Sequence, residues 1–105
     1  AKFGEDPMTG SIVGYNSMPA IAEALKVTEG TDADSLVEAF EGLEIPASPT
    51  GPFYFRVADH QSTMGAYVGK TGFIDGVPAI VDWVYADGAD FLPSEEDAAK
   101  LRPAN

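Results

Sequence analysis

PTGPFYFRVADHQSTMGAYVGKTGF, residues 49–73, holds the single histidine of the chain and its densest mixture of aromatic and polar side chains. It reads as two extended segments separated by a polar loop. Phe53 and Phe55 alternate with Tyr54 and Arg56, which puts two phenyl rings on one face of a strand and a phenol and a guanidinium on the other. The phenyl face is therefore assigned to the core. Between the extended segments lies Asp59-His60-Gln61-Ser62-Thr63, a run of hydrogen-bonding side chains suited to fixing a loop or meeting a partner.

On the C-terminal side, extended segments are expected over Phe53–Val57, Ala66–Ile74 and Ala79–Ala86. Asp75-Gly76 is a strong two-residue hairpin signal and pairs the last two antiparallel. Simple alternation places Val81, Trp83 and Tyr85 on one face. Ser94 with Asp97 three residues on caps a short helix ending near Leu101, and Pro103 follows.

On the N-terminal side, Pro46, Pro49, Gly51 and Pro52 exclude helix and leave Leu43 to Ile45 at most a short edge strand. Before them, Thr31 with Asp34 three residues on reads as a helix cap. Ala33, Leu36, Val37 and Phe40 form the buried stripe of that short helix, and Gly42 stops it. In the preceding helix, Met18, Ile21, Ala22 and Leu25 fall at i, i+3, i+4 and i+7 and are assigned to the core. This helix either begins at Asn16 or Ser17, with Pro19 in its first turn, or runs from about Ser11 with a bend at Pro19; the second is favoured. Gly30 reads as its left-handed terminator, and Ala1 to Gly10 reads as loop or the tail end of a preceding element. The fold class is α/β: two helices followed by an antiparallel β-hairpin and a short C-terminal helix.

The 105 residues amount to one domain at most, able to bury roughly two thirds of its unfolded surface. A hydrophobic fraction of 45% argues for a globular chain. Six Lys plus Arg against seventeen Asp plus Glu give a net charge of -11. That charge repels phosphate backbones and anionic lipid, so no nucleic-acid partner is expected. No apolar run is long enough for membrane insertion. With no cysteine there is neither a disulfide framework nor a thiolate metal site.

Asp59, His60 and Ser62 together suggest a hydrolytic triad, but no Gly-x-Ser-x-Gly elbow is present, and a loop-fixing role is the preferred reading. No catalytic residue is assigned and no enzyme activity is expected. Asp87 and Asp90 lack the ligand spacing of a calcium loop, so no metal or other cofactor is expected. Gly69-Lys70-Thr71 lacks the upstream glycine and following helix of a phosphate loop and reads as strand. Trp83 and the Phe53, Tyr54 and Phe55 cluster read as core or interface. The pair Tyr15-Asn16, near a glycine at a helix start, is a candidate for ligand contact.

The order Gly14-Tyr15-Asn16, Ala24-Leu25-Lys26, Gly30-Thr31-Asp32-Ala33-Asp34-Ser35-Leu36, Pro49-Thr50-Gly51-Pro52 and Arg56 to Asp59-His60-Gln61 covers most of the chain. It resembles the C-terminal portion of a type I periplasmic substrate-binding protein of the branched-chain amino acid (Leu/Ile/Val-binding) ABC transporter family. The resemblance implies that residues 1–105 are a C-terminal fragment of such a ligand-binding domain, a partial lobe in a periplasmic or other extracytoplasmic location. It implies binding of a small solute, an amino acid, amide or related organic acid, for delivery to an ABC permease. Ligand contacts are implied at Thr9, Gly10, Ser11 and Tyr15, and an interlobe hinge at Asp59, His60 and Gln61. A fragment of this kind is expected to bind poorly by itself and to self-associate through its exposed helix faces and hairpin. The alternative is a small stand-alone interaction module that forms a homo-oligomer through the same hairpin.

Overall fold

A computed structural model describes Gly4 and residues 7–101. Eight elements follow one another: α1 (Thr9–Val27), α2 (Ala33–Phe40), β1 (Glu44–Ile45), β2 (Phe53–Tyr54), β3 (Ala66–Ile74), β4 (Val77–Ala86), a 3-10 turn (Gly88–Asp90) and α3 (Glu95–Leu101). The class is mixed α/β, with two antiparallel strand pairs, β1 with β2 and β3 with β4. Two helices, a hairpin and a short last helix appear in the expected order. The proline-rich segment adds the small β1–β2 ladder, Glu44 opposite Tyr54 and Ile45 opposite Phe53.

The core is small. Ile45 and Phe53 are buried against Ala20 of α1, with Phe40, Leu43, Phe55 and Met64 packed around them. Phe55 meets Phe53 and Phe40 edge to face, with centroids 5.9 and 5.4 Å away, a favoured quadrupole arrangement. The phenyl face is thus the core face, as expected, and Tyr54 lies largely in solvent.

The first helix differs from its sequence reading in three respects. First, α1 starts at Thr9 and runs through Pro19 to Val27, so Thr9 and Gly10 are helical and not loop; residues 1–3 and 5–6 of the expected loop, and Pro103, lie outside the described residues. Second, its buried face is Asn16, Ala20 and Ala24, while Met18, Ile21 and Leu25 stand in solvent. The helix is apolar on both sides, and the small Ala20, which admits close approach, meets Ile45 and Phe53 of the strands. Third, α1 ends at Thr28 in an extended conformation and not at a left-handed Gly30. Glycine is required at 30 for space: a Cβ there would lie 2.8 Å from Asp32 Oδ2 and Ser35 Oγ.

Those two groups belong to the cap of α2, which is Asp32 and not Thr31. The expected stripe of α2 is not buried: Ala33 and Val37 are exposed and Leu36 and Phe40 half-buried, because α2 meets the small core only at its C-terminal end, through Phe40. The Asp32 side chain accepts from the Ser35 amide at 3.1 Å and from its hydroxyl at 2.7 Å. These bonds lower the Asp32 carboxyl pKa. In α3, Ser94 accepts from the Asp97 amide at 3.1 Å and donates to its carboxylate at 2.8 Å. That hydroxyl bond, with a further one from Lys100, lowers the Asp97 pKa.

The β3–β4 hairpin turns at Asp75-Gly76, φ 51° and 79°, the primed turn that matches strand twist. A bulge interrupts its register between Val68 and Lys70, where Asp82 adopts φ 50°. The extra residue moves Val81 to the face opposite Trp83 and Tyr85, correcting the expectation that all three share one. Tyr67 collects the aromatic face, 5.0 Å from Trp83 and 5.3 Å from Tyr85. At the base of the hairpin the Gly65 amide donates to the Tyr85 hydroxyl at 2.8 Å.

The hairpin stands away from the body. Val68, Phe73, Ile74, Val77, Ile80, Trp83 and Val84 are all exposed. The radius of gyration is 17.1 Å, against ~13 Å for a compact domain of this length. The solvent-accessible surface is 8006 Å² for 11.0 kDa, where a folded monomer has ~5,600 Å² and the unfolded chain ~16,000 Å². About half the unfolded surface is buried, less than the expected two thirds.

Phe53→Ala removes the largest side chain of this core and is expected to cost about 3 kcal/mol or more in urea denaturation; a loss below about 1 kcal/mol would show that the core lies elsewhere. The lowered Asp32 pKa means that its stabilisation is present above the ordinary carboxylate range and lost as pH falls through it. The melting-temperature advantage of the natural chain over Asp32→Asn should therefore be largest near neutrality and vanish in acid. An advantage that grew on acidification would contradict the cap.

Candidate functional site

The first turn of α1 forms one wall of a cavity of about 620 Å³, lined by Pro7, Met8, Thr9, Ser11, Ile12, Tyr15, Pro49, Thr50 and Tyr67. The elements that build it come from three parts of the chain: the start of α1, the proline-rich turn before β2, and the first strand of the hairpin. Thr9, Ser11 and Tyr15 thus meet in one place. Gly10 is not among the lining residues and faces open space. The Ser11 hydroxyl accepts from the Met8 amide at 3.3 Å and the Ser11 amide donates to the Met8 carbonyl at 2.8 Å. Other N–H groups at the start of the helix have no helical acceptor and point along its axis. The two tyrosines supply flat apolar walls with polar tips. Pro7, Met8, Ile12, Pro49, Thr50 and Tyr67 were not assigned to the site from the sequence; only their nearness in space assigns them.

Tyr15 and Asn16 part company. Tyr15 is exposed and lines the cavity, whereas Asn16 turns to the buried face of α1, 3% exposed. Its amide donates to the Met64 thioether at 3.0 Å, and its Oδ1 has no hydrogen-bond partner among the described residues. The pair does not act as one ligand wall.

The 56–61 loop is organised by Asp59. Its carboxylate accepts from Arg56 Nε at 3.0 Å and from Arg56 Nη2, closing a bidentate pair. It also accepts from the Gln61 amide at 3.1 Å and the Gln61 side chain at 3.0 Å. The Asp59 side chain is only 5% exposed. Hydrogen bonding to Asp59 raises the Arg56 pKa. Arg56 Nη1 donates to the Pro93 carbonyl at 2.7 Å, tying the loop to the approach to α3. Backbone bonds from Arg56 to Gln61 and from His60 to Arg56, at 2.9 and 2.8 Å, close the turn.

His60 sits at its tip with φ 59°, exposed, its Nε2 3.0 Å from Glu41 Oε1. The Ser62 hydroxyl accepts from the Met64 amide at 3.1 Å. Asp59, His60 and Ser62 are therefore drawn to different partners, and the loop is a clasp built from charge-assisted bonds. Asp87, weighed with Asp90 for metal, uses its side chain to cap the 3-10 turn through the Ala89 amide at 3.0 Å. Among the described residues no group of three or more His, Cys, Asp or Glu is placed to hold a metal ion.

No protein-family model matches the chain. It is similar to the Leu/Ile/Val-binding protein homolog 8 of Brucella abortus (strain 2308), 38% identical over 55 residues. The same protein of Brucella abortus biovar 1 (strain 9-941) and of Brucella suis biovar 1 (strain 1330) matches equally. The matched residues make up 51% of this chain and 14% of those proteins. The chain thus spans a small part of the curated relatives it matches, and the likeness supports a relation to Leu/Ile/Val-binding proteins over about half of it.

Asp59→Ala should release the clasp: the amide of Gln61 exchanges faster and the melting temperature falls, while His60→Ala changes stability by no more than about 0.5 kcal/mol. The reverse order, read by hydrogen exchange and thermal melts, would contradict the assignment of the loop to Asp59.

Proposed function

We propose that this chain is part of a solute-binding protein for ABC-transporter uptake, in an extracytoplasmic location, and that it acts by binding and delivery without catalysis. The observation that carries the reading is the 38% identity to Leu/Ile/Val-binding protein homologs, joined to the meeting of Thr9, Ser11 and Tyr15 around one cavity. The solute class is a small amino acid, amide or organic acid. Its polar end meets the first turn of α1, where N–H groups and the helix dipole favour an oxygen acceptor, and its body lies between Tyr15 and Tyr67. Residues 1–105 form one C-terminal portion of the binding domain, and Asp59, His60 and Gln61 belong to the passage toward a second lobe. The Arg56–Asp59 clasp gives that passage a defined shape. A membrane permease is the partner of the whole protein.

The openness of the cavity supports weak or no binding by the chain alone, since a drug-sized ligand is normally buried over most of its surface. A second reading, a stand-alone interaction module, is favoured by the hairpin, which is apolar and exposed on both faces.

A thermal-shift panel of amino acids, amides and small organic acids tests the first reading. No member should shift the 105-residue chain, while one class should raise the melting temperature of a longer protein carrying this stretch by several degrees at saturating ligand. In that protein Tyr15→Ala should weaken binding about tenfold, roughly 1.4 kcal/mol. The absence of any shift in the longer protein would overturn solute binding.

A further inference from the structure

The two outer edges of the hairpin are not alike. In a two-residue turn the flanking pair, here Ile74 and Val77, is the hydrogen-bonded one. The next pair, Phe73 and Pro78, therefore directs its backbone groups outward. Pro78 has no N–H to offer, so the β4 edge lacks a donor at that point. The same edge is bent at Asp82 by the bulge. Both are devices that keep an edge strand from pairing.

The β3 edge carries neither. It has no proline and no positive-φ residue through Ala66–Ile74, and its outward N–H groups at Thr71 and Phe73 are intact. Its one charge, Lys70, lies 3.1 Å from Asp82 across the ladder. Charge is also locally permissive. The hairpin, residues 66–86, holds one Lys and two Asp, a net -1 within a chain of -11.

We propose that β3 pairs antiparallel with β3 of a second copy of this chain, making a continuous four-stranded sheet with β4 at each outer edge. Two-fold symmetry makes the edge self-complementary. The joined sheet doubles the aromatic face around Tyr67, Phe73 and Trp83 and supports a hairpin that is marginal as two strands. On β3 itself Val68, Phe73 and Ile74 are exposed, so the pairing sets apolar side chains that now lie in solvent beside a neighbouring strand. The pairing rests on the second reading above, the interaction module, and is pre-empted where a longer polypeptide covers β3.

Sedimentation of the 105-residue chain over a concentration series, with amide hydrogen exchange at the same concentrations, tests it. The expected result is a dimer that tightens as salt screens two strongly negative bodies, with the N–H of Thr71 and Phe73 slowing as it forms while that of Ile80, on the β4 edge, stays fast. Thr71→Pro should weaken the dimer at least tenfold, and near-ultraviolet circular dichroism of Trp83 and Tyr67 reports whether its hairpin persists. A monomer at all concentrations overturns the proposal, as does a dimer in which Ile80 slows in place of Thr71 and Phe73. So does protection of Thr71 that requires a longer polypeptide in place of a second copy.

Discussion

Ile45 and Phe53 stand opposite each other on two very short strands and are covered by the alanine face of α1. Most of the body depends on this contact. The proline-rich turn between β1 and β2 is held by it, and α2 reaches it through Phe40, whose ring stacks edge-on against Phe55. Without it there would be little to set α1 against the turn at Pro49 and Thr50, and the cavity at the start of α1 would lose a wall. A core this small leaves a narrow margin of stability. Polar bonds therefore matter more than in a larger domain: the Asp59 clasp, the Asp32 cap and the Tyr85 bond at the hairpin base each fix a segment that apolar burial alone does not.

Surface is the other side of the same constraint. Met18, Ile21 and Leu25 on α1, and both faces of the hairpin, are apolar and open to solvent. Elements with two apolar faces belong to the middle of layered structures. A segment of a larger binding domain and a chain that assembles through its hairpin are both consistent with such a surface, and the similarity to Leu/Ile/Val-binding proteins favours the first for function.

What could be read from the sequence was local. Asp75-Gly76 announced its turn because two consecutive positive-φ residues suit it, and the alternation of Phe53 and Phe55 announced a core face because burial there follows the pleat. Ser94 and Asp97 were legible as a cap for the same reason. Errors arose where space decided. The apolar stripe at Met18 is as periodic as the buried one, and only the neighbouring strands select the alanines. Gly30 is glycine because Asp32 and Ser35 press on it, a contact no pattern contains. The bulge at Asp82 shifts Val81 to the other face; its mark in the sequence is Gly69 on the opposite strand, where a Cβ would lie 2.8 Å from Val81 O and 3.0 Å from Trp83 Cα. Of the candidate site, Thr9 and Ser11 were found through family resemblance and Tyr15 already as an aromatic residue at a helix start, whereas Pro49, Thr50 and Tyr67 join them only through folding, and Gly10 and Asn16 turn out to face elsewhere.

The central claim is that the first turn of α1, with Tyr15 and Tyr67, forms one wall of a solute site. Its most direct test is a ligand-bound crystal structure of a longer binding protein that contains this stretch. The account predicts a solute oxygen within hydrogen-bond distance of the Ser11 side chain or a first-turn amide, with the solute body against Tyr15. A solute seated entirely on other segments, with the start of α1 facing bulk water, would contradict it.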